Sequence, residues 1–268
     1  MDFHTAKALL EWQLEMGVDE AISESPVNRF DLPVAQPKMA KPTASEQNQK
    51  TPISKSPAPP PIPKKADEDV VQIAKDKAAR ANSLESLKAA LASFEHCELR
   101  RGARNLVFGD GSAPARVMII GEAPDREEDK AGQPFVGKSG RLLNRMFDAI
   151  GMSRDAADDR SSIYITPALP WRPPHNRDAA PDEIAMLRPF LDKHIELVAP
   201  DALILMGNAA CQMMLGKRGI TRIRGTWVEV NGLPTLPMFH PENLLRNPVA
   251  KREAWQDLLS LKSRLTGN

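Results

Sequence analysis

Three short apolar runs constrain this chain most: Val117–Ile120 (VMII), Ser162–Thr166 (SIYIT) and Ala202–Met206 (ALILM), each followed at once by Gly or Pro. The first and third are unbroken and read as strands buried on both faces, while the second alternates and is β-branched. Helical spacing fills the intervals. After Ser139 the residues Leu142, Leu143, Met146, Phe147 and Ile150 recur on one helical face, with Gly151 as the stop. Pro181, with Asp182 and Glu183 in the first turn, opens a helix whose stripe is Ile184, Leu187, Leu191, Ile195 and Val198. A further helix is expected between Gly207 and Leu215. Strands alternating with helices imply a three-layer α/β/α sandwich around a mainly parallel sheet. Thr226–Val230 and Leu233–Met238 flank Asn231–Gly232 and read as a hairpin, and Asn247 and Pro248 open a last helix. Upstream, 66–94 reads as helix interrupted at Asn82–Ser83, where Ser83 caps the second part.

The polar residues gather where strands end. Glu122, Asp125, Glu127, Glu128 and Asp129 follow the Val117 strand within a few residues, and ligands bind beyond the carboxyl ends of strands in open α/β sheets. Gly132, Gly137 and Gly140 then bracket Pro134 and Phe135, a loop that brings backbone close to a ligand and presents one aromatic ring.

Outside this pattern lies a different kind of sequence. Ten of the 24 prolines fall between Pro26 and Pro63, among Ser, Ala, Gln and Lys, too little apolar surface to offset the entropy of ordering. The expected organisation is an amphipathic helical segment at 1–24, a Pro-rich linker at 25–80 and a globular domain at 81–268. The first segment, with Leu9, Leu10, Trp12, Leu14 and Ile22, suits docking to a protein partner or packing on its own core, and both readings stay open. A net charge of +1 gives no general attraction to polyanions, so any such site has to come from local clusters such as Lys217, Arg218, Arg222 and Arg224, or Arg246, Lys251 and Arg252. Two cysteines, Cys97 and Cys211, exclude a disulfide framework, and no apolar run is long enough for a membrane span. The expectation is a monomeric cytoplasmic protein.

Four segments, in order, carry a resemblance. VFGDG at Val107–Gly111, GEAPDREEDKAGQPFVGKSGRLLNRM from Gly121, RPPHNRD at Arg172–Asp178 and HPENLLRNPVAKREAW from His240 resemble the family-4 uracil-DNA glycosylases, over about residues 82 to 265. The resemblance implies a bacterial, nucleoid-associated enzyme of base excision repair. It would act on uracil-containing DNA without an activated amine, release free uracil and leave an abasic site. Such chemistry needs a carboxylate for the water and the sugar cation, and a donor for the departing base. It also needs an aromatic face for the extruded nucleotide. Glu122 or Asp125 would supply the carboxylate, His240 the donor and Phe135 the stacking face. Gly121, Ala123, Pro124 and Asn176 would contact the base. Gly137, Lys138, Ser139 and Arg246 would contact DNA, with Leu244 and Leu245 as an apolar wedge.

Three departures from the family pattern matter. Asp125 stands where the GEAPG motif has its second Gly, adding a carboxylate. Pro167 stands where the family has an Asn that reads the uracil edge, so discrimination falls to Asn176 or His175 and other deaminated bases should be tolerated. Finally, the family's four cluster-ligating cysteines correspond to Phe94, Cys97, Trp171 and Leu187. One thiolate cannot hold an iron–sulfur cluster, so neither cofactor nor metal is expected.

Overall fold

The computed structural model describes residues 70–267, and the segments expected at 1–24 and in most of the linker lie outside them. The described residues begin with α1 (Val70–Ala79) and α2 (Leu84–Ala92). Ser83 caps α2 with the reciprocal bonding expected, its Oγ accepting from Ser86 N at 3.2 Å. Ala74 and Ala78 of α1 are buried in the core, so the folded body includes residues that a boundary at 81 assigns to the linker.

A single turn, α3 (Leu99–Gly102), precedes strands β1 (Asp110–Gly111) and β2 (Val117–Gly121). Then come α4 (Arg126–Ala131), α5 (Gly137–Asp148), β3 (Ile163–Pro167), α6 (Pro181–Val198), β4 (Ala202–Met206) and α7 (Asn208–Leu215). A turn of helix, α8 (Ile220–Ile223), leads to β5 (Val228–Val230) and β6 (Leu233–Met238), followed by α9 (Pro241–Arg246) and α10 (Lys251–Thr266). The six strands order as β1-β3-β2-β4-β6-β5. The inner four run parallel and both edge strands antiparallel. Asn231 and Gly232 take φ of 51° and 78°, the left-handed pair that a two-residue hairpin loop demands.

Alternation within the strands builds two cores. Met118, Ile120, Leu203 and Leu205 face α1, α2, α6 and α7 on one side. Val117, Ile119, Ile204 and Met206 face Leu143 and Phe147 of α5 and Leu258 and Leu261 of α10 on the other. The expected three-layer sandwich follows. Because the inner strands are parallel, β2, β3, β4 and β6 all end at one edge of the sheet, which gathers Glu122, Pro167, Gly207 and His240.

Candidate active site

A cleft of about 490 Å³ opens at that edge, lined by Glu122, Ala123, Pro124, Asp125, Asn176, Asn208 and Arg246 among others. A roomier concavity of about 620 Å³ lies between α1, α6 and the β5–β6 turn and contains none of the sequence-predicted residues.

Glu122 leaves the end of β2 and reaches the start of α7, where its Oε1 accepts from Asn208 N at 2.8 Å and Ala209 N at 3.3 Å. Amides at a helix start favour a carboxylate there. Gly207 makes the approach possible. Its φ is +94°, and a Cβ there would stand 2.4 Å from the same Oε1. No protein donor among the described residues reaches Oε2, which leaves that oxygen for a ligand or water.

Asp125 also lines the cleft, with one of its two oxygens engaged. Its Oδ1 accepts from Glu128 N at 2.8 Å while Glu128 Oε2 accepts from Asp125 N at 2.8 Å, a capping box that starts α4. The acidic stretch after β2 is therefore partly helix. Asp129 is buried too, its Oδ1 accepting from Arg104 N at 2.8 Å and Asn105 N at 3.2 Å. Of the five clustered carboxylates, Glu122 and Asp125 line the cleft, and Glu128 and Asp129 hold loops.

Glu128 does so twice over. Its Oε1 accepts from Phe135 N at 2.5 Å, so one buried carboxyl joins the two motif loops. Burial pushes its pKa up to about 7 against the opposing pull of these amides. Phe135 sits at φ 50°, a strained value for an aromatic residue, and its ring presses on Gly121, where a Cβ would come within 2.6 Å. Arg154 braces the same loop from below the reach of any sequence motif: it donates to the Pro134 and Phe135 carbonyls at 3.3 Å each and pairs with Asp110 at 2.7 Å.

His240 follows β6 and caps α9. Its Nδ1 accepts from Glu242 N at 3.3 Å, which places the ring proton on Nε2. Burial lowers its pKa, although Glu122, Glu242 and Asp125 pull the other way, so the ring is neutral at pH 7. The imidazole stacks on Phe135 with centroids 5.0 Å apart and 29° between planes. Phe135, at 4% exposure, therefore forms a covered wall beside the cleft and presents no free face to it.

Other sequence-predicted residues divide. Asn176 lines the cleft, where its Oδ1 accepts from Arg172 Nε at 3.0 Å, whereas His175 is exposed and outside the lining. Gly137, Lys138 and Ser139 form the first turn of α5, which has no side-chain cap, and do not line the cleft. Leu244 requires correction as a wedge: it is 1% exposed and packs in the core, whereas Leu245 is 41% exposed. Pro167 is the last residue of β3, opposite Gly121, and offers neither an amide nor an N–H to the cleft.

The four positions that the resemblance matches to the family's cluster ligands share one apolar core. Phe94, Cys97, Trp171 and Leu187 are each at most 2% exposed, and Phe94 packs edge-on against Phe190 at 5.1 Å. Burial raises the Cys97 thiol's pKa, with Glu183 and Asp182 adding to it, so thiolate formation is opposed. Three carbon side chains and one protonated thiol do not fit an iron–sulfur cluster. No helix among the described residues is long and apolar enough to cross a membrane.

The segments that build the cleft fall within a match to known proteins. Residues 108–259 match the family model of the uracil DNA glycosylase superfamily. The type-4 uracil-DNA glycosylase of Sulfurisphaera tokodaii is 33% identical over 191 residues, covering 68% of this chain and 84% of that protein. Its namesake from Thermotoga maritima is 37% identical over 154 residues, covering 56% and 77%, and that from Archaeoglobus fulgidus 32% over 184 residues, covering 65% and 89%. The match takes in the strands, the cleft and both motif loops, and it places the chain in the uracil DNA glycosylase superfamily, on its type-4-like side.

Proposed function

We propose that this protein is a monofunctional uracil-DNA glycosylase working without a metal, which extrudes uracil from DNA and hydrolyses its glycosidic bond to leave an abasic site. The observation that carries the reading is the convergence of Glu122, His240 and Phe135, from three distant segments, at one edge of the sheet. Two amides hold Glu122 by Oε1, and its Oε2 serves the water and the oxocarbenium-like sugar. Asp125 lies close by with one oxygen capping α4, and Glu122, fixed by two amides at the start of α7, takes the main role. Neutral His240 donates from Nε2 to the base as negative charge develops there, without having to lose a full positive charge.

A base can stack on Phe135 only by displacing what covers it, and the stacked imidazole is in that position. Main chain at Gly121, Ala123 and Pro124 contacts the base, and Asn176 supplies an amide in place of the one missing at Pro167. Loss of that reader relaxes rejection of other deaminated bases. Lys138 with the uncapped first turn of α5, Arg246 and the exposed Leu245 serve the DNA strand and the vacated stack.

Incubation with uracil-containing single strands, duplexes and mononucleotide, with detection of free base, tests the reading. Release from DNA but not from the mononucleotide supports it. Duplex binding without release of any base contradicts it and favours a sensor of damaged DNA.

A further inference from the structure

Three guanidinium groups line the cleft, and each rests on a carboxylate. Arg177 is committed: Nη1 and Nη2 donate to both oxygens of Glu183 at 2.8 and 2.6 Å, and Glu183 is buried and also holds Ala180 N at 2.8 Å. The other two pairs are exposed. Arg246 lies 3.2 Å from Glu242, and Arg218 lies 2.7 Å from Asp178 with side chains 50% and 71% exposed. Ion pairs so exposed contribute about 0–1 kcal/mol, little enough for a competing anion to overcome.

The basic run from Lys217 to Arg224 separates in the structure. Arg224 is bound to the buried Asp257 and lies over the Phe239 ring at 5.7 Å, and Arg222 is exposed away from the cleft. Arg218 alone of the run lines the cleft. Its loop is also anchored to the machinery. Asn208, whose backbone N–H holds Glu122, accepts through Oδ1 from Gly219 N and Ile220 N at 3.0 Å each. One residue thus sets both the carboxylate that faces the sugar and the loop that carries the guanidinium.

We propose that Arg218 binds a DNA phosphate in the cleft, and that Asp178 holds the guanidinium in place in the free protein until the phosphate displaces it. The proposal rests on the glycosylase reading. A phosphodiester offers the same paired oxygens as the carboxylate, and the guanidinium fork suits both. A phosphate on Arg218 is held in fixed relation to Glu122 through Asn208, so strand position and bond cleavage share one frame.

The test uses the full chain and a duplex with a tetrahydrofuran abasic site, followed by fluorescence anisotropy across a KCl series. Arg218→Gln should weaken binding roughly tenfold near 0.1 M salt and reduce the slope of log K against log salt by about 0.9, one phosphate contact. Asp178→Asn should act with the opposite sign, tightening binding up to about fivefold, the value of the exposed pair it removes. Arg222→Gln is the charge-matched control and should shift affinity far less than Arg218→Gln. Unchanged affinity and slope in Arg218→Gln overturns the proposal, as does weaker binding in Asp178→Asn or an equal loss in Arg222→Gln. Failure of the unaltered protein to release uracil would instead overturn the reading beneath it.

Discussion

Around Phe94, Cys97, Trp171 and Leu187 the chain packs carbon against carbon, with every side chain sealed from water. Around Glu122, itself half-buried, it gathers exposed carboxylates, a neutral imidazole and exposed ion pairs, and it holds Phe135, His175 and Asn176 at positive φ. The two regions meet in one loop. Trp171 is buried in the first, while Asn176, Arg177 and Asp178, a few residues on, line the second. The contrast separates a region built to exclude water from one built to hold charge at the surface. Where the resemblance places the family's thiolates, this chain packs apolar side chains; at the cleft it holds charge and strained backbone.

Substitutions in each region test that contrast. The largest effect is expected in the packed region: Phe94→Ala should cost about 3–5 kcal/mol through lost burial and a cavity. Chemical denaturation measures it, and the rate of uracil release below the unfolding transition should stay within about twofold. A large loss of rate with stability intact would mean that the packed region takes part in the chemistry.

A smaller effect is expected from acid. His194 bonds to Tyr164 Oη at 3.0 Å and stacks on Phe108 at 4.3 Å, and burial lowers its pKa to about 3. A base with a lowered folded pKa contributes stability that is complete above its unfolded value of about 6.5 and is lost as pH falls toward 3. At about 1.4 kcal/mol per unit, that amounts to about 2 kcal/mol by pH 5. His194→Gln, less stable at neutral pH, should lose correspondingly less between pH 6.5 and 5 in thermal unfolding. Parallel losses would place the acid-sensitive group elsewhere.

The smallest effect tests the cleft. Asp125→Gly keeps a residue that tolerates the N-cap position, so stability should fall by only a few tenths of a kcal/mol. A loss above about 1 kcal/mol would show that the capping box contributes more than its hydrogen bonds imply.

Much of the fold was legible because periodicity reports burial directly. ALILM coincides residue for residue with β4, Ala202–Met206, and the Asn-Gly dipeptide marks the hairpin. Helix α4 was not legible, because REEDKA has no apolar period; its signal is the pairing of Asp125 with Glu128 three residues on, the spacing of a capping box. The meeting of Glu122, Phe135 and His240 was legible only through family resemblance, since no local pattern joins residues so far apart. Leu244 and Leu245 look alike in sequence, and only the helical turn that points one inward separates them. Arg154 with Asp110, and Arg218 with Asp178, pair across 40 or more residues, where neither spacing nor composition carries a signal.

The central claim is that Glu122, held by the start of α7, supports the departure of the base while Asp125 caps a helix. Single-turnover release of uracil from duplex DNA by the unaltered protein, Glu122→Gln and Asp125→Gly tests it directly. The account predicts a loss of about 10²–10³-fold for Glu122→Gln, the usual magnitude for removing one preorganised electrostatic contact, and a rate within a few fold of the unaltered protein for Asp125→Gly. Full rate in Glu122→Gln, or the larger loss in Asp125→Gly, would contradict it.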